Sequence, residues 1–430
     1  MERKYKDSGI EWIGKIPETW EVERMKGLFT ERNERDCKGR TLLSVSQYYG
    51  IRPKSETDMA DSHIAQSYDD YKEVYQGDFV MNIMLAWNGS YAVSDYDGMV
   101  SPAYCVFKFR KDCCKKYFHY LLRTNGYPNA FKTMSRGVIN SRLRLYPEQF
   151  YTFPVIIPPI SDQQRIADYL DEKCGEIDSL IGLQDQMIEK LKSYKQSIIT
   201  EAVTKGLNKK AKFIPSGIDW IGEIPEHWAI QRLKTLGWTQ NGISQSGDYF
   251  GEVFQYPFVN YSDVYKNYSL PYPKGRANST EKDRKIYSLI EGDVLFTRTS
   301  ETIEEIGFSS TCIETIPDSV YSGFLIRFRP TSGKLFKGFS KYYFRSQVHR
   351  AYFVKQMNIV TRASLGQDLL KNLVVLLPPL DEQHVIAEHL DVKCGEIDKL
   401  ISTKQLKIEM LKVYRNSIIN EAVTGKLQIN

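Results

Sequence analysis

Two long stretches of the chain carry apolar residues at heptad spacing, whereas the segments before them contain short apolar runs separated by polar turns. Such spacing predicts two amphipathic helices, each about 43 residues and roughly 65 Å long. The predicted seam of the first helix consists of Leu170, Ile177, Gln184, Leu191 and Ile198, with Leu180, Met187 and Tyr194 on the alternate heptad position. That of the second consists of Leu390, Ile397, Lys404, Leu411 and Ile418, with Leu400 and Tyr414 beside them.

A seam of this length needs a partner that buries it, and the other helix of the same chain is the obvious candidate. Two like units of one chain pair best about a pseudo-twofold axis, so we expect an intramolecular antiparallel coiled coil. The alternative is that the helices pack into an ordinary core, because a polar residue, Gln184 or Lys404, occupies a seam position in each copy.

The junction before the first helix has its own signals. Residues 153–157 are predicted to form a strand that Pro158 and Pro159 end, since proline fits neither a strand ladder nor a helix interior. Asp162 is then the expected N-cap of the helix. Cys174 and Cys394 occupy matching positions in the two helices, and we expect both to be small buried hydrophobes.

The sequence contains an internal duplication. Residues 8–20 return as residues 216–228, and residues 158–204 return as residues 378–424 with 27 of 47 positions identical. The segments between these repeats have diverged. The repeats predict four domains, namely a first variable domain at 1–157, a first long-helix region at 158–208, a second variable domain at 209–377 and a second long-helix region at 378–430.

The divergent segments predict α+β domains with irregular sheets. Apolar and aromatic runs that favour strands occur at residues 41–45, 78–83 and 105–109, and at residues 254–259, 294–297 and 324–328. Helical patterns follow at residues 115–123 and 339–352. The predicted fold is therefore two mixed α/β domains joined by two long helices in a pseudo-twofold arrangement.

Loops after these strands carry the side chains that read base edges, because arginine pairs with guanine, asparagine and glutamine pair with adenine, and hydroxyls reach bases or phosphates. For any single residue, a solvated loop or a fold-stabilising hydrogen bond is an equally good interpretation. The DNA-binding candidates of the first domain are Ser46, Gln47, Tyr48, Asn82, Trp87, Asn88, Arg136, Asn140 and Arg142. Those of the second domain are Asn260, Ser262, Arg298, Thr299, Asn358 and Arg362.

Four tryptophans recur with the repeated framework at positions 12, 20, 220 and 228. Because they belong to the repeats and not to the divergent loops, we interpret them as packing anchors and not as platforms for stacking bases.

Composition restricts the class of protein without deciding the function. The chain is 42% hydrophobic and 26% charged with a formal charge of +5, which permits a polyanionic partner without demanding one. No apolar run approaches the 18 or so residues of a spanning helix, and no export signal begins the sequence, so we expect a cytoplasmic protein. The seven cysteines have irregular spacing and are expected to be free thiols.

The usual catalytic signatures are missing from the sequence. No glycine-rich cofactor loop, nucleotide-binding loop or metal-binding His/Cys pattern occurs, so we expect neither a bound cofactor nor a metal. The Pro158–Pro159 and Pro378–Pro379 pairs resemble the diproline of adenine methyltransferases, but an aliphatic residue precedes them and no aromatic follows. Asp263 with Asp283 and Lys285 matches a nuclease cluster only weakly.

A Pro-Pro-x-x-x-Gln-x-x-Ile-Ala motif stands at residues 158–167 and again at residues 378–387. Each copy follows a divergent segment and leads into Leu-Asp-x-Lys-Cys-Gly-Glu-Ile-Asp and then Ser-Ile-Ile-x-Glu-Ala-Val-Thr. This doubled order resembles the specificity subunits of type I restriction-modification systems over essentially the whole chain.

The resemblance implies a non-catalytic subunit in which each variable domain reads one half of a bipartite double-stranded DNA target. The paired helices would fix the gap between the halves and dock two methylation subunits, with room for two restriction subunits and no role for a membrane. S-adenosylmethionine, ATP and Mg²⁺ would be used by those partners.

Two other functions stay open at this point. A coiled-coil scaffold would bind proteins through its variable domains, and its lack of salt-sensitive DNA affinity would identify it. A self-contained methyltransferase or nuclease would modify or cut DNA by itself.

Overall fold

The computed structural model describes residues 3–35, 37, 39–57, 68–137, 139, 142–243, 256–300, 306–356 and 363–429. The chain divides into two compact units. Unit 1 comprises Met1–Gln184 and Gln405–Asn430, and unit 2 comprises Asp185–Lys404. Each unit therefore contains one α+β domain, part of the first long helix and part of the second.

The helices are α1 (Met25–Leu28), α2 (Lys115–Leu122), α3 (Gly126–Met134), α4 (Pro147–Phe150), α5 (Ile160–Lys205), α6 (Tyr261–Lys266), α7 (Glu281–Ile286), α8 (Lys337–Tyr343), α9 (Gln347–Gln356), α10 (Gln367–Lys371) and α11 (Leu380–Val423). Short 3-10 turns lie at Lys54–Glu56, Ala86–Asn88 and Leu233–Thr235. The two long helices, α5 and α11, have 46 and 44 residues.

The strands of unit 1 are β1 (Tyr5–Asp7), β2 (Lys15–Pro17), β3 (Glu21–Arg24), β4 (Phe29–Arg32), β5 (Leu43–Ser46), β6 (Gly50–Pro53), β7 (Lys72–Val74), β8 (Phe79–Asn82), β9 (Tyr91–Val93), β10 (Gly98–Val100), β11 (Tyr104–Phe109) and β12 (Pro154–Ile157). Those of unit 2 are β13 (Phe213–Pro215), β14 (Glu223–Pro225), β15 (Ala229–Arg232), β16 (Gly237–Asn241), β17 (Tyr256–Val259), β18 (Arg276–Ala277), β19 (Val294–Thr297), β20 (Thr299–Ser300), β21 (Ser309–Thr311), β22 (Val320–Tyr321), β23 (Leu325–Pro330), β24 (Ala363–Ser364) and β25 (Val374–Leu377).

Both units contain the same four-stranded antiparallel sheet. Its strand order is β4-β11-β8-β9 in unit 1 and β16-β23-β19-β21 in unit 2. The register also agrees, since Phe79 pairs with Val93 in the first sheet and Val294 pairs with Thr311 in the second. Two segments with little sequence in common thus share one framework, which confirms the predicted α+β class.

The turn that enters the central strand is built alike in both units. Gly77 and Gly292 adopt φ values of 87° and 89°, which favour glycine. The next residue, Asp78 or Asp293, accepts a backbone N–H three residues earlier in the chain. It also pairs with an arginine, at 2.9 Å to Arg32 in unit 1 and 2.7 Å to Arg329 in unit 2.

Aromatic and aliphatic side chains from the sheet, α2 or α8, and both long helices form one core in each unit. In unit 1 this core joins Trp20 and Phe107 with Leu170 and Val423. In unit 2 it joins Trp228 and Phe328 with Val203 and Leu390.

The long helices run antiparallel inside each unit. In unit 2, Met187 Sδ accepts a hydrogen bond from Lys404 at 3.1 Å, whereas Lys195, two turns further along α5, pairs with Asp398 at 2.7 Å. In unit 1, Asp178 pairs with Arg415 at 3.1 Å. The predicted antiparallel helix pair is confirmed.

The heptad seam is partly wrong. Leu170, Ile177, Gln184, Leu390, Ile397 and Ile418 are buried as predicted, while Leu191, Ile198, Lys404 and Leu411 are half-buried. The alternate positions Leu180, Met187, Tyr194, Leu400 and Tyr414 are instead exposed. The buried residues lie one heptad position later and include Cys174, Ile188 and Cys394. The spacing from one seam residue to the next is therefore four residues and then three, whereas the prediction had three and then four.

Two helix boundaries also differ from the prediction. Asp162 lies within the first turn of α5, which starts at Ile160, and its carboxylate accepts the indole N–H of Trp20 at 3.0 Å instead of capping the helix. Residues 339–352 form parts of two helices, α8 and α9, separated by residues 344–346. Within the described residues, no helix is both long enough and apolar enough to cross a membrane.

Most predicted packing residues have that role. Trp20 and Trp228 are buried, Trp12 packs edge-on against Tyr127 at 5.7 Å and Trp220 packs on Tyr352 at the same distance. Cys174 and Cys394 are buried, as expected of small hydrophobes.

Candidate nucleic-acid interface

Three of the predicted DNA-reading segments meet at one end of the unit 1 sheet. Arg123 connects the first two, because its guanidinium donates to the carbonyl of Gln47 at 2.6 Å and to that of Gly89 at 3.5 Å. The third segment, residues 136–144, is held next to the second by a hydrogen bond from the N–H of Leu145 to the carbonyl of Ile83 at 2.9 Å.

The turn between β5 and β6 presents the most accessible of these side chains. Tyr48 is 84% exposed, and its backbone N–H donates to the hydroxyl of Ser46 at 3.1 Å. Gln47 is half-buried with its carbonyl held by Arg123. The turn is therefore fixed through its backbone, which leaves the phenol ring of Tyr48 facing solvent.

The candidates in the β8–β9 connection make hydrogen bonds within the fold. Asn82 is buried, and its side-chain oxygen accepts the N–H of Met84 at 3.0 Å. Asn88 accepts from the backbone and hydroxyl of Ser90. The indole N–H of Trp87 donates to the carbonyl of Met84 at 3.1 Å, and the ammonium of Lys132 lies 5.5 Å from the Trp87 ring centroid.

The third segment exposes two arginines. Arg136 and Arg142 are both exposed, and the backbone of Arg136 pairs with that of Arg144 in an isolated bridge. Asn140 lies outside the described residues. Guanidinium groups of this kind are the donors that proteins use to contact phosphates and guanine edges.

In unit 2, Asn260 and Ser262 belong to the start of α6. Asn260 is the N-cap in a capping box with Asp263, and the hydroxyl of Ser262 donates to its side-chain oxygen at 2.7 Å. Asp283 forms the same kind of box with Thr280 at the start of α7. The two carboxylates of the weak nuclease match are therefore helix-capping groups.

The other unit 2 candidates lie where two segments pair. The backbones of Thr299 and Ser364 pair in the β20–β24 ladder, and the carbonyl of Arg298 accepts the N–H of Leu365 at 2.7 Å. Asn358 and Arg362 lie outside the described residues. The α6 segment joins this end of the sheet through Phe308, whose ring is 5.2 Å from that of Tyr265 and whose carbonyl accepts the N–H of Thr297.

Sequence reasoning missed the arginine that organises each set of loops. Arg345 in unit 2 donates to the carbonyls of Val264, Asn267 and Ser309, each at 2.9 Å, much as Arg123 does in unit 1. Burial lowers the pKa of both guanidiniums from the ordinary arginine value. The signal was a Tyr-x-x-Arg spacing in both helices, at Tyr120 and at Tyr342.

The unit 1 loops border a cleft of about 1290 Å³. Gln47, Tyr48 and Asn88 line one side, and the opposite side comes from the end of α11, including Lys412 and Asn416. Amides, cations and aromatic rings are thus gathered on one concave surface, which can donate to anionic or polar ligands. Among the described residues, no group of three or more His, Cys, Asp or Glu side chains could hold a metal ion.

His119 lies at the wall of this cleft. Burial lowers its pKa to about 3, with Arg123 and Lys116 as nearby positive charges that act in the same direction. The imidazole is therefore neutral near pH 7 and contributes hydrogen bonding without adding charge.

Comparison with known proteins identifies the same framework elsewhere. Residues 17–193 and 225–410 match the family model of the type I restriction modification DNA specificity domain. The chain is 24% identical to the type I restriction enzyme MjaVIII specificity subunit of Methanocaldococcus jannaschii, with 96% of this chain and 94% of that one covered. It is 25% identical to the EcoKI specificity subunit of Escherichia coli, with 76% and 68% covered.

Solved structures agree on the fold. A chain from a structural study of complex assembly and conformational transition of the type I R-M system superposes with a TM-score of 0.71 at 18% identity, covering 96% of this chain and 99% of that one. The HsdS subunit from Thermoanaerobacter tengcongensis gives a TM-score of 0.50 at 18% identity, covering 96% and 98%.

Proposed function

This chain belongs to the family of type I restriction-modification DNA specificity proteins, and from that membership we propose that it selects the DNA sequence on which a restriction-modification complex acts. Each α+β domain reads one half of a bipartite double-stranded target. Catalysis belongs to other subunits, which bring S-adenosylmethionine, ATP and Mg²⁺. The family match does not favour the scaffold alternative.

One observation supports the proposal above all others. Two segments with little sequence in common fold onto the same four-stranded sheet, and in each a half-buried arginine contacts polar loops at one end of that sheet. A retained framework with diverged loops is the arrangement expected where two modules recognise different sequences by the same geometry.

The long helices suit the role of a ruler. Two half-sites read by one protein must be held at a fixed separation, and paired helices hold such a distance better than a flexible linker. We propose that α5 and α11 set the gap between the half-sites.

The helices also have surfaces suited to protein docking. Their outer faces expose Leu180, Leu183, Met187 and Tyr194 on α5, and Leu400, Leu406, Met410, Val413 and Tyr414 on α11. Exposed apolar residues in such number are typical of protein–protein contacts. We propose that two methylation subunits dock here, that two restriction subunits can join them, and that the complex works in the cytoplasm.

The test is to express the chain with its candidate methylation partner in a host free of DNA methylation and to map methyladenines by sequencing. The expected result is one two-part motif with a fixed gap. Exchange of residues 229–377 for the insert of a relative should alter only one half of the motif. A motif without two parts, or a change in both halves, would contradict the proposal.

A further inference from the structure

The two units differ where the α+β domain meets the long helices. In unit 1 a short turn, residues 47–49, joins β5 to β6. In unit 2 the equivalent connection, residues 260–275, is a long excursion that contains α6 and then runs toward α5. Tyr268 is the residue of this excursion that reaches the helix.

Tyr268 fills a pocket made by four side chains of unit 2. Its hydroxyl accepts a hydrogen bond from the side-chain amide of Gln196 at 2.7 Å. The Lys195 ammonium and the Arg345 guanidinium lie 5.0 Å and 4.9 Å from its ring centroid, and the Tyr342 ring is 5.8 Å away. An aromatic ring among two cations and a second ring is a stable arrangement.

Unit 1 contains the counterparts of all four residues. The repeat relates Lys195 to Arg415 and Gln196 to Asn416. Tyr120 corresponds to Tyr342, because each hydroxyl donates at 2.7 Å to the same aspartate of the repeat, Asp171 or Asp391. Arg123 corresponds to Arg345, since the two donate to equivalent carbonyls of the sheet, those of Tyr91 and Ser309.

These four residues, Tyr120, Arg123, Arg415 and Asn416, all line the 1290 Å³ cleft of unit 1. The place that a tyrosine fills in unit 2 is therefore open in the described part of unit 1. The pocket walls are retained while the internal occupant is not.

The occupant in unit 2 is an extended peptide. The N–H of Thr311, on the edge strand β21, donates to the carbonyl of Tyr268, and the N–H of Leu270 donates back to Thr311. In unit 1 the matching edge strand is β9, and a second cavity of about 410 Å³ continues along it past Val93, His119 and Tyr120. The open space thus continues from the aromatic pocket along β9.

The charges of the cleft indicate the character of its ligand. Its charged lining comprises Arg52, Arg123, Lys412 and Arg415 against one carboxylate, Asp178. Arg415 pairs with Asp178 and Lys412 pairs with Glu409, so among the described residues the excess positive charge of the cleft is that of Arg52 and Arg123. An occupant with acidic residues beside its aromatic ring would complement this excess of positive charge.

We propose that the unit 1 cleft binds an extended acidic segment of a methylation subunit, which inserts a tyrosine side chain where Tyr268 lies in unit 2. The choice of partner rests on the function proposed above, whereas the aromatic pocket rests on the comparison of the two units alone. Because unit 2 supplies its own tyrosine, one chain takes one such segment.

The first experiment places a photo-crosslinking benzoylphenylalanine at position 416 of the full chain in complex with its methylation partner. Crosslinks to one tyrosine-containing segment of that partner are expected. At position 196, the matched site of unit 2, the same probe should crosslink to the chain's own residues 267–270. Crosslinks from position 416 to added duplex DNA, or none at all, would overturn the proposal.

The second experiment tests the pocket without any partner. A labelled peptide of residues 261–272 should bind the full chain saturably, and Tyr268→Ala in the peptide should abolish that binding. Asn416→Trp in the chain fills the cleft and should weaken peptide binding by 10-fold or more, whereas Asn416→Gln restores the amide used in unit 2 and should retain it.

The outcomes separate the two proposals. If the wild-type chain does not associate with a methylation subunit but binds the peptide through Asn416, the assigned partner is wrong and the pocket stands. If the chain associates normally and Asn416→Trp changes neither peptide nor subunit affinity, the pocket inference is wrong and the proposed function is untouched.

Discussion

A buried glutamine joins each α+β domain to the long helix that follows it. The side-chain oxygen of Gln163 accepts the N–H of Cys114 at 2.9 Å, and its amide donates to the carbonyl of Pro158 at 2.7 Å. Gln383 makes the matching bonds to Phe336 and Pro378. This residue satisfies backbone groups at the N-cap of α2 or α8 and at the diproline together, which explains the Gln of the repeated motif.

We predict that Gln163→Ala lowers the free energy of unfolding by about 1–3 kcal/mol, because two buried backbone groups lose their partners. Urea denaturation of the full chain measures this. Gln164→Ala is the matched control, since Gln164 is exposed and should cost less than about 0.5 kcal/mol. Equal losses for the two variants would contradict the structural role of Gln163.

His119 predicts a pH dependence. Its pKa of about 3 lies below the ordinary value of 6.5, so the unfolded state binds the proton more readily than the folded state. The stability of the native state is therefore complete above pH 6.5 and falls as pH drops from there toward 3, by on the order of 1–2 kcal/mol between pH 7 and pH 5.

Urea unfolding of the wild type and of His119→Gln at pH 7 and pH 5 checks this expectation. The variant should lose less stability than the wild type over that interval, because glutamine does not titrate. Parallel losses in both proteins would show that His119 is not the group responsible.

At the level of single residues, the sequence predicted which loops carry candidate side chains but not the hydrogen bonds that each side chain makes within the fold. Asn82 and Asn260 are amides in polar turns, and only the backbone geometry shows that their oxygens accept local N–H groups. The half-buried arginines Arg123 and Arg345 were missed, because their acceptors are carbonyls that come from distant parts of the chain.

Among the secondary-structure elements, the two long helices were predicted correctly, but only one of the two heptad positions of their seam was. One heptad position was correct, whereas the alternate one was chosen from the apolar residues Leu180, Met187 and Tyr194, which are in fact exposed. The sequence offers two adjacent apolar residues at Met187 and Ile188, and only the packing of the partner helix decides which is buried.

The corrected seam makes a direct prediction. Ile188→Ala should lower the free energy of unfolding by about 2–4 kcal/mol, because a buried side chain leaves a cavity. Met187→Ala, one residue away and exposed, should change it by less than about 1 kcal/mol. Thermal or urea unfolding of both variants measures the difference, and the reverse ranking would restore the original seam.

The strands were predicted closely, since β19 at Val294–Thr297 has the predicted bounds and β11 differs by one residue at its start. The helix predicted at residues 339–352 is interrupted, and no glycine or proline marks the break. There the hydroxyl of Ser346 donates to the carbonyl of Tyr343 at 2.7 Å and competes with the helical backbone pattern.

For the whole molecule, the internal repeat predicted the doubled architecture because framework residues recur at nearly constant offset. The repeat does not reveal that Tyr268 fills the pocket in unit 2, whereas the matching place is open in the described part of unit 1. That difference depends on the path of residues 260–275, where unit 1 has only the short turn at residues 47–49 between the equivalent strands.

The ruler proposal is tested at this scale by lengthening both helices together. Seven residues inserted after Gln184 and seven after Lys404 add about 10 Å of helix to each while preserving the heptad. Methyladenine mapping should then show unchanged half-sites with a gap longer by about three base pairs, at 3.4 Å of rise each. An unchanged gap would mean that the helices do not set the spacing.

Unit 1 is assembled from two distant parts of the chain, Met1–Gln184 and Gln405–Asn430, whereas unit 2 is one continuous stretch. During synthesis, the ribosome releases everything that unit 2 needs before the last piece of unit 1 is made. The unit whose synthesis begins first therefore completes its folding last, because the core that contains Leu170 and Ile177 also needs Ile418 and Val423. Chaperone dependence of the nascent protein should accordingly concentrate on its earliest-made half.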